Sequence, residues 1–247
     1  MLILLPPSET KREGGPEGSR LQLAALGFPA LTARRRAALA ALHELSADPD
    51  AAAIALKLGP TQAGEAVRNR RLRRAPVLPS IDRYDGVLYE ALDAPTLDGR
   101  ARAFAHEHLA IASALFGMTR ALDPIPAYRL SADSRLPALR LKGHWSPAVS
   151  TTIGARPGLI LDLRSEAYAA LGPAPARADA VFVRVVTEQG GRRRALNHFN
   201  KAGKGALTRR LLLARIDHPD VGSLLEWASA EGVRLEPGAP GELDLVV

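Results

Sequence analysis

Short apolar runs that alternate with helical segments constrain the fold of this chain more than any other feature. One run, Leu2–Leu5, ends at Pro6-Pro7, and residues 159–163 and 181–186 form two more. Continuous apolar runs of this length are typical of buried strands. Because helical segments separate them, the sequence predicts an α/β (mixed α+β) fold. We expect one compact domain over residues 1–247, with a mixed β-sheet flanked by helices.

Helix start and stop residues divide the first half of the chain. We expect a helix over residues 31–45, then a pair over residues 48–58 and 62–74 with a break at Gly59-Pro60-Thr61. A long helix is predicted over residues 96–117, because apolar side chains recur there at helical spacing and Asp98 and Gly117 suit its two ends.

Later segments complete the prediction. Residues 181–186 and 192–199 are expected to form a hairpin that turns at Gln189-Gly190-Gly191. Helices are predicted over residues 206–216 and 224–230, and a last strand over residues 243–247.

Arginine dominates the charge of the chain. The formal net charge is +7, and only five of the 33 cationic side chains are lysines. A guanidinium binds phosphate through two parallel hydrogen bonds, which suits a nucleic-acid partner. A codon bias toward arginine explains the excess equally well.

The composition excludes several kinds of site. With no cysteine, disulfides, thiolate catalysis, cysteine-ligated zinc and iron–sulfur clusters are excluded. His106 and His108 lie two residues apart, on different sides of a helix, and form no metal pair. We therefore expect no metal and no cofactor. No apolar run is long enough to predict a membrane span.

Residues 48–74 have the layout of a helix-hairpin-helix, in which the second helix directs free backbone N–H groups at a phosphate. Lys57 precedes the Gly-Pro turn, at a position where the motif usually has glycine, and five arginines follow the turn. An ordinary pair of helices with a solvated basic face is the alternative interpretation.

Two further segments could bind anions. Residues 200–206, Asn-Lys-Ala-Gly-Lys-Gly-Ala, precede a predicted helix and combine lysines with glycines that allow close backbone approach. The second segment has two prolines among Arg120, Asp123, Tyr128 and Arg129. These side chains could bind a phosphate or carboxylate. Alternatively, an arginine and Asp123 form a buried pair that holds the loop.

Taken together, these segments resemble the YaaA family of peroxide stress proteins over nearly the whole chain. Matching segments are residues 2–11, the Tyr-Asp-Gly-Val-Leu-Tyr run at 84–89, the Asp-Leu-Arg-Ser run at 162–165 with Tyr168, and Lys201, Lys204, Gly205 and Arg209. The most specific match is Arg-Ala-Leu-Asp at 120–123 followed by Tyr-Arg-Leu at 128–130. The chain departs from the family at Glu9, Ser131 and Ala167, where Lys, an acidic residue and Glu are frequent.

The resemblance implies a cytoplasmic protein that limits free iron, protects DNA from oxidative damage and binds DNA through a helix-hairpin-helix. Our leading hypothesis is therefore a DNA-binding stress protein that contacts backbone phosphates without reading sequence. The residues expected on phosphate are Lys57, Gly59, Thr61, Arg68, Arg70 and Arg71.

An enzyme that acts on a nucleotide or nucleobase-like substrate is the rival hypothesis. Its catalytic candidates are Asp123, Tyr128 and Ser165, and a small anionic or nucleotide ligand is then an expected partner. The candidate anion-binding residues are Thr10, Lys11, Arg120, Arg129, Lys201, Lys204 and Arg209. An interaction scaffold without a site is the third hypothesis.

Overall fold

The structure is a computed structural model and describes residues 1–189, 192–195 and 200–247. The strands are β1 (Leu2–Leu5), β2 (Val77–Pro79), β3 (Leu109–Ser113), β4 (Gly117–Arg120), β5 (Pro124–Pro126), β6 (Ile160–Asp162), β7 (Ala180–Gln189), β8 (Arg192–Ala195), β9 (Leu235–Pro237) and β10 (Glu242–Val246). The helices are α1 (Thr32–Leu45), α2 (Pro49–Ala55), α3 (Gly64–Arg70), α4 (Ser80–Arg83), α5 (Val87–Leu92), α6 (Gly99–His108), α7 (Leu141–Gly154), α8 (Glu166–Ala169), α9 (Asn200–Ala214) and α10 (Val221–Ala230).

One mixed sheet organises the molecule, as the sequence predicts. Its strand order is β4-β3-β1-β6-β7-β10-β9, and β8 pairs with the end of β7. The inner strands β3, β1, β6, β7 and β10 run parallel, whereas β4 and β9 are antiparallel at the two edges. A separate two-stranded sheet joins β2 and β5.

The first strand lies inside this sheet. All four residues of β1 are buried, and Ile3 is in register with Leu109 of β3 on one side and Leu161 of β6 on the other. Such burial on both faces explains why β1 is a continuous apolar run instead of an alternating one.

The long helix predicted over residues 96–117 is wrong in its second half. The helix α6 ends at His108, and Leu109–Ser113 is the buried parallel strand β3. A short apolar run that is buried on all sides fits a helix and a strand equally well, so its spacing did not decide between them. The predicted cap at the start is confirmed, since the Ala101 N–H donates to the Asp98 carboxylate.

Most other elements confirm the prediction. The helices α1, α2, α3 and α10 and the strands β1, β6, β7 and β10 lie where the sequence predicts them, with ends displaced by several residues in places. The helix α9 is also present, but it begins at Asn200, so the loop expected over residues 200–205 is wrong. The hairpin is present as β7 paired with β8. Its predicted turn at Gly190-Gly191 and the end of its second strand, residues 196–199, lie outside the described residues.

A close helix crossing fixes the position of α9. At Gly205, a Cβ atom would lie 2.1 Å from the Leu88 carbonyl oxygen and 2.9 Å from the Ala91 Cβ of α5. Only glycine allows the two backbones to approach this closely. Lys204 directly precedes Gly205, and Lys201 lies one helical turn before it. The crossing therefore fixes the position of both lysines relative to α5.

The Gly205→Ala substitution tests this crossing. We expect it to lower the free energy of unfolding by about 1–3 kcal/mol or more, because the added methyl group collides with backbone rather than with a movable side chain. Gly143→Ala is a matched control, since a Cβ at this helical position meets nothing within 4 Å. The control is expected to be neutral or up to about 1 kcal/mol more stable in urea unfolding. Equal stability of both variants would contradict the close crossing.

Candidate functional site

A cleft opens where β1 and β6 end. The order of the parallel strands reverses at β1, because the chain places β3 on one side and β6, β7 and β10 on the other. Loops at such a reversal diverge and leave a crevice outside the carboxyl ends of the strands. The cleft here has a volume of about 580 Å³ and is lined by Pro6, Pro7, Ser8, Glu9, Thr10, Asp85, Gly86, Val87, Leu88, Tyr89, Leu163, Ser165, Tyr168, Asn200, Lys201 and Lys204.

Lys11 holds the loop that follows β1. Its ammonium donates to the Ser8 and Glu9 carbonyl oxygens, at 3.0 and 3.2 Å, and lies 4.2 Å from the centre of the Tyr128 ring. Burial, together with the nearby Arg129 charge, lowers the pKa of Lys11 to about 7. With its hydrogens directed at the loop carbonyls and its positive charge over an aromatic ring, Lys11 shapes the cleft from behind.

A chain of hydroxyl groups lies beneath Lys11. The Tyr128 hydroxyl is 2.7 Å from that of Ser113 and 2.9 Å from that of Tyr84, and all three residues are buried. Burial raises the pKa of both tyrosines above the ordinary value. Tyr128, a catalytic candidate from the sequence, is therefore a neutral group inside the core and does not line the cleft.

Lys204 reaches the cleft from α9. Its ammonium is buried, donates to the Arg164 carbonyl oxygen at 3.2 Å and lies 5.1 Å from the centre of the Phe182 ring. The Asp162 carboxylate is nearby, but both of its oxygens accept from the Arg164 guanidinium. Burial lowers the pKa of Lys204 to about 8.

Arg129 connects the cleft loop to α3. Its guanidinium pairs with Glu9 at 2.9 Å, and its backbone N–H and C=O both bond to the buried Asn69 side chain. The family departure at Glu9 therefore places a carboxylate against Arg129. At the second departure, Ser131 donates to Asp133 at 2.6 Å; at the third, Ala167 is exposed on α8.

A second basic surface lies beside α3. We call it the Arg groove: a depression of about 560 Å³ lined by Leu39, His43, Val67, Asn69, Arg70, Arg71, Leu72, Arg73 and Arg74. Its four arginines are exposed, and in the described part of the chain no carboxylate pairs with any of them.

Other residues of the predicted helix-hairpin-helix are engaged within the protein. Lys57 pairs with Asp133 at 2.5 Å, and Arg68 pairs with both Glu13 and Glu65. The Gly59 N–H donates to the Gln62 side chain at 2.9 Å, whereas Thr61 is exposed. The two helices and the Gly-Pro turn are present, and their use as a DNA-binding motif stays a prediction.

The remaining candidates hold loops together outside the cleft. Asp123 accepts from the Gly27 and Arg120 backbone N–H groups, and burial raises the pKa of its carboxyl. The Arg120 side chain packs against Gly27 and the Phe28 ring. Arg209 donates to the Leu92 and Asp93 carbonyl oxygens at the end of α5.

The structure thus gathers Thr10, Ser165, Lys201 and Lys204 in one cleft, with Lys11 and Arg129 directly behind its loop. Sequence reasoning did not assign Asp85, Tyr89 or Tyr168 to the site. The 84–89 and 162–168 segments that match the family pattern carried the only signal for them.

No three His, Asp or Glu side chains of the described residues converge to hold a metal ion. Among the described helices, none combines the length and apolar character that a bilayer-spanning helix needs.

Comparison with known proteins places the chain in a family. The model of the family described as "Peroxide stress protein YaaA" matches residues 1–237. A UPF0246 protein of Corynebacterium glutamicum is 42% identical over the full length of both chains, and one of Corynebacterium efficiens is also 42% identical over both full lengths. A UPF0246 protein of Streptomyces coelicolor is 38% identical over 98% of this chain and 94% of its own. The chain therefore belongs to the YaaA (UPF0246) family of peroxide stress proteins.

Proposed function

We propose that this protein binds DNA through the Arg groove and thereby protects it from iron-dependent oxidative damage in the cytoplasm. One observation carries the proposal: four exposed arginines line one depression, and within the described residues none has a carboxylate partner. Unpaired cations gain most from a polyanion, because binding releases the counterions that the phosphates had condensed. The name of the family supports the stress role.

The lining of the Arg groove changes which residues we expect to contact the DNA phosphates. Arg70 and Arg71 keep that role, and Arg73 and Arg74 join them. Lys57 and Arg68 contribute less, since neighbouring carboxylates already neutralise their charges. Phosphate contacts carry no information about the base sequence, so we expect the affinity to depend on salt concentration far more than on DNA sequence.

Removing three groove arginines tests the proposal. The triple variant Arg70→Ala, Arg71→Ala, Arg73→Ala is expected to bind a short DNA duplex at least tenfold more weakly than wild type. The slope of log affinity against log salt concentration should fall by about two to three, because each lost phosphate contact removes about 0.9. Fluorescence anisotropy across a salt series measures both quantities.

A variant of equal charge provides the control. Arg100→Ala, Arg140→Ala, Lys142→Ala removes three exposed cations that do not line the groove. This control should keep most of the affinity for DNA and should still slow the nicking of a plasmid by Fe(II) and hydrogen peroxide. The groove variant should no longer slow the nicking. If both variants lose affinity equally, net charge rather than the groove attracts DNA, and the proposal is wrong.

A second function is favoured by the convergence of Thr10, Ser165, Lys201 and Lys204 in the cleft. Loop residues from distant segments that meet at the carboxyl ends of parallel strands are the usual composition of a substrate site. We propose that the cleft binds, and acts on, a small anionic substrate of the nucleotide or nucleobase type. The Arg groove and this cleft have no lining residue in common, so both functions can coexist.

The second function predicts a pH dependence. Lys204 attracts an anion only while it is protonated, and its pKa in the free protein is about 8. Affinity for AMP, measured by calorimetry, should therefore be nearly constant from pH 7 to 7.5 and fall about five- to tenfold per pH unit above 8. A flat profile up to pH 10 would exclude Lys204 from the site, and no AMP binding at any pH would contradict the second function.

A further inference from the structure

Charged side chains of both signs line the cleft. We call Lys201 and Lys204, which lie on α9, the cationic end of the cleft, and Glu9 and Asp85, which lie on the loops after β1 and before α5, its acidic end. Glu9 pairs with Arg129, and Asp85 lies 3.6 Å from Arg12, so each of these carboxylates has one cationic partner, and neither partner lines the cleft. Neither lysine pairs with a carboxylate within the described residues.

Among the described residues, no carboxylate forms an ion pair with the cationic end. Lys204 is 5% exposed and makes one hydrogen bond to the described residues, to the Arg164 carbonyl oxygen, although an ammonium can donate three. A buried charge of this kind is costly unless it is paired and hydrogen-bonded. An anion in the cleft would supply both.

The donors around this end suit a tetrahedral anion. Lys201 lies in the first turn of the 15-residue helix α9 and Lys204 at the start of the second, and the helix dipole favours negative charge near this N-terminus. Ser165 faces them from the loop after β6, and its hydroxyl does not cap α8, which leaves it available to donate. Three donors from two elements match the three terminal oxygens of a phosphate monoester.

Aromatic and apolar side chains also line the cleft. Tyr89 donates its hydroxyl to the Pro6 carbonyl oxygen at 2.8 Å, so it is tied to the wall of the cleft. Tyr168 lines the same space, and burial raises the pKa of its hydroxyl, which keeps it neutral. Leu163 and Pro7 add apolar surface. A flat ring fits such walls better than a charged chain does.

The acidic end accepts hydrogen bonds. Each carboxylate has about four acceptor positions, and one cation partner does not fill them. Amino or amide N–H groups of a heterocycle would be recognised here.

We propose that the cleft binds a nucleoside monophosphate, with its phosphate on Lys201, Lys204 and Ser165 and its base between the tyrosines with N–H groups toward Glu9 and Asp85. The inference rests on the second function proposed above, since it specifies the ligand and its orientation in the same cleft. It adds that the two ends recognise different parts of one molecule.

Two substitutions at opposite ends of the cleft test the orientation in the full-length protein. Calorimetry would compare AMP, adenosine and inorganic phosphate as probes. Lys204→Met keeps the length and the apolar stem of the side chain and should weaken AMP at least tenfold, to the level of adenosine, without changing adenosine binding. Asp85→Ala should weaken AMP and adenosine by the same factor. Lys142→Met, an exposed lysine on α7, is the matched control and should change neither; circular dichroism confirms that each variant is folded.

The outcomes separate this inference from the function on which it rests. If AMP binds but Lys204→Met leaves its affinity unchanged, the orientation is wrong while the cleft remains a ligand site. If phosphate binds as tightly as AMP, and adenosine does not bind, the site takes an anion alone and the nucleotide assignment is overturned. If none of the three probes binds, both the inference and the second function are wrong.

Discussion

The position of β1 inside the parallel sheet is the constraint on which the rest of the structure depends. Because β3 and β6 flank it, the loops after β1 and β6 meet at the point where the strand order reverses. The close crossing at Gly205 then brings α9 against α5 at the same edge. Four segments far apart in the sequence thus come together around one cleft, and side-chain bonds such as those of Lys11, Tyr89 and Lys204 to backbone carbonyls hold them there.

The positive charges of two buried lysines beside this cleft are stabilised by different contacts. Lys11 donates to two loop carbonyls and rests on the Tyr128 ring, so its charge is used to hold the loop. Among the described residues Lys204 has one hydrogen-bond partner, a carbonyl oxygen, and both oxygens of the neighbouring Asp162 carboxylate accept from Arg164. The same residue type is therefore structural at one position and available to a ligand at the other.

The sequence predicts the elements whose signals are local. Pro6-Pro7 ends β1 and Asp98 caps α6. Lys201 and Lys204 were expected on a glycine-rich loop, whereas both lie on the helix α9 and line the cleft from there. The strand Leu109–Ser113 was not predicted, because its neighbours β1 and β4 are what make it a strand, and its spacing fits a helix too. Asp123 illustrates a further difficulty. Its carboxylate accepts from the Gly27 and Arg120 backbone N–H groups in the core. The sequence does not predict the first of these bonds, because Gly27 lies 96 residues away.

Positive charge on this protein is divided between two surfaces with different geometry. The Arg groove is open and carries several separate cations, which suits a polymer backbone, whereas the cleft is lined by aromatic rings and has one buried ammonium. Hydrogen–deuterium exchange with a short DNA duplex, and separately with AMP, tests this division most directly. The account predicts that DNA protects residues 64–75 and leaves 6–10, 85–89 and 163–168 unchanged, and that AMP does the reverse. Protection of the cleft segments by DNA, or of residues 64–75 by AMP, would contradict it.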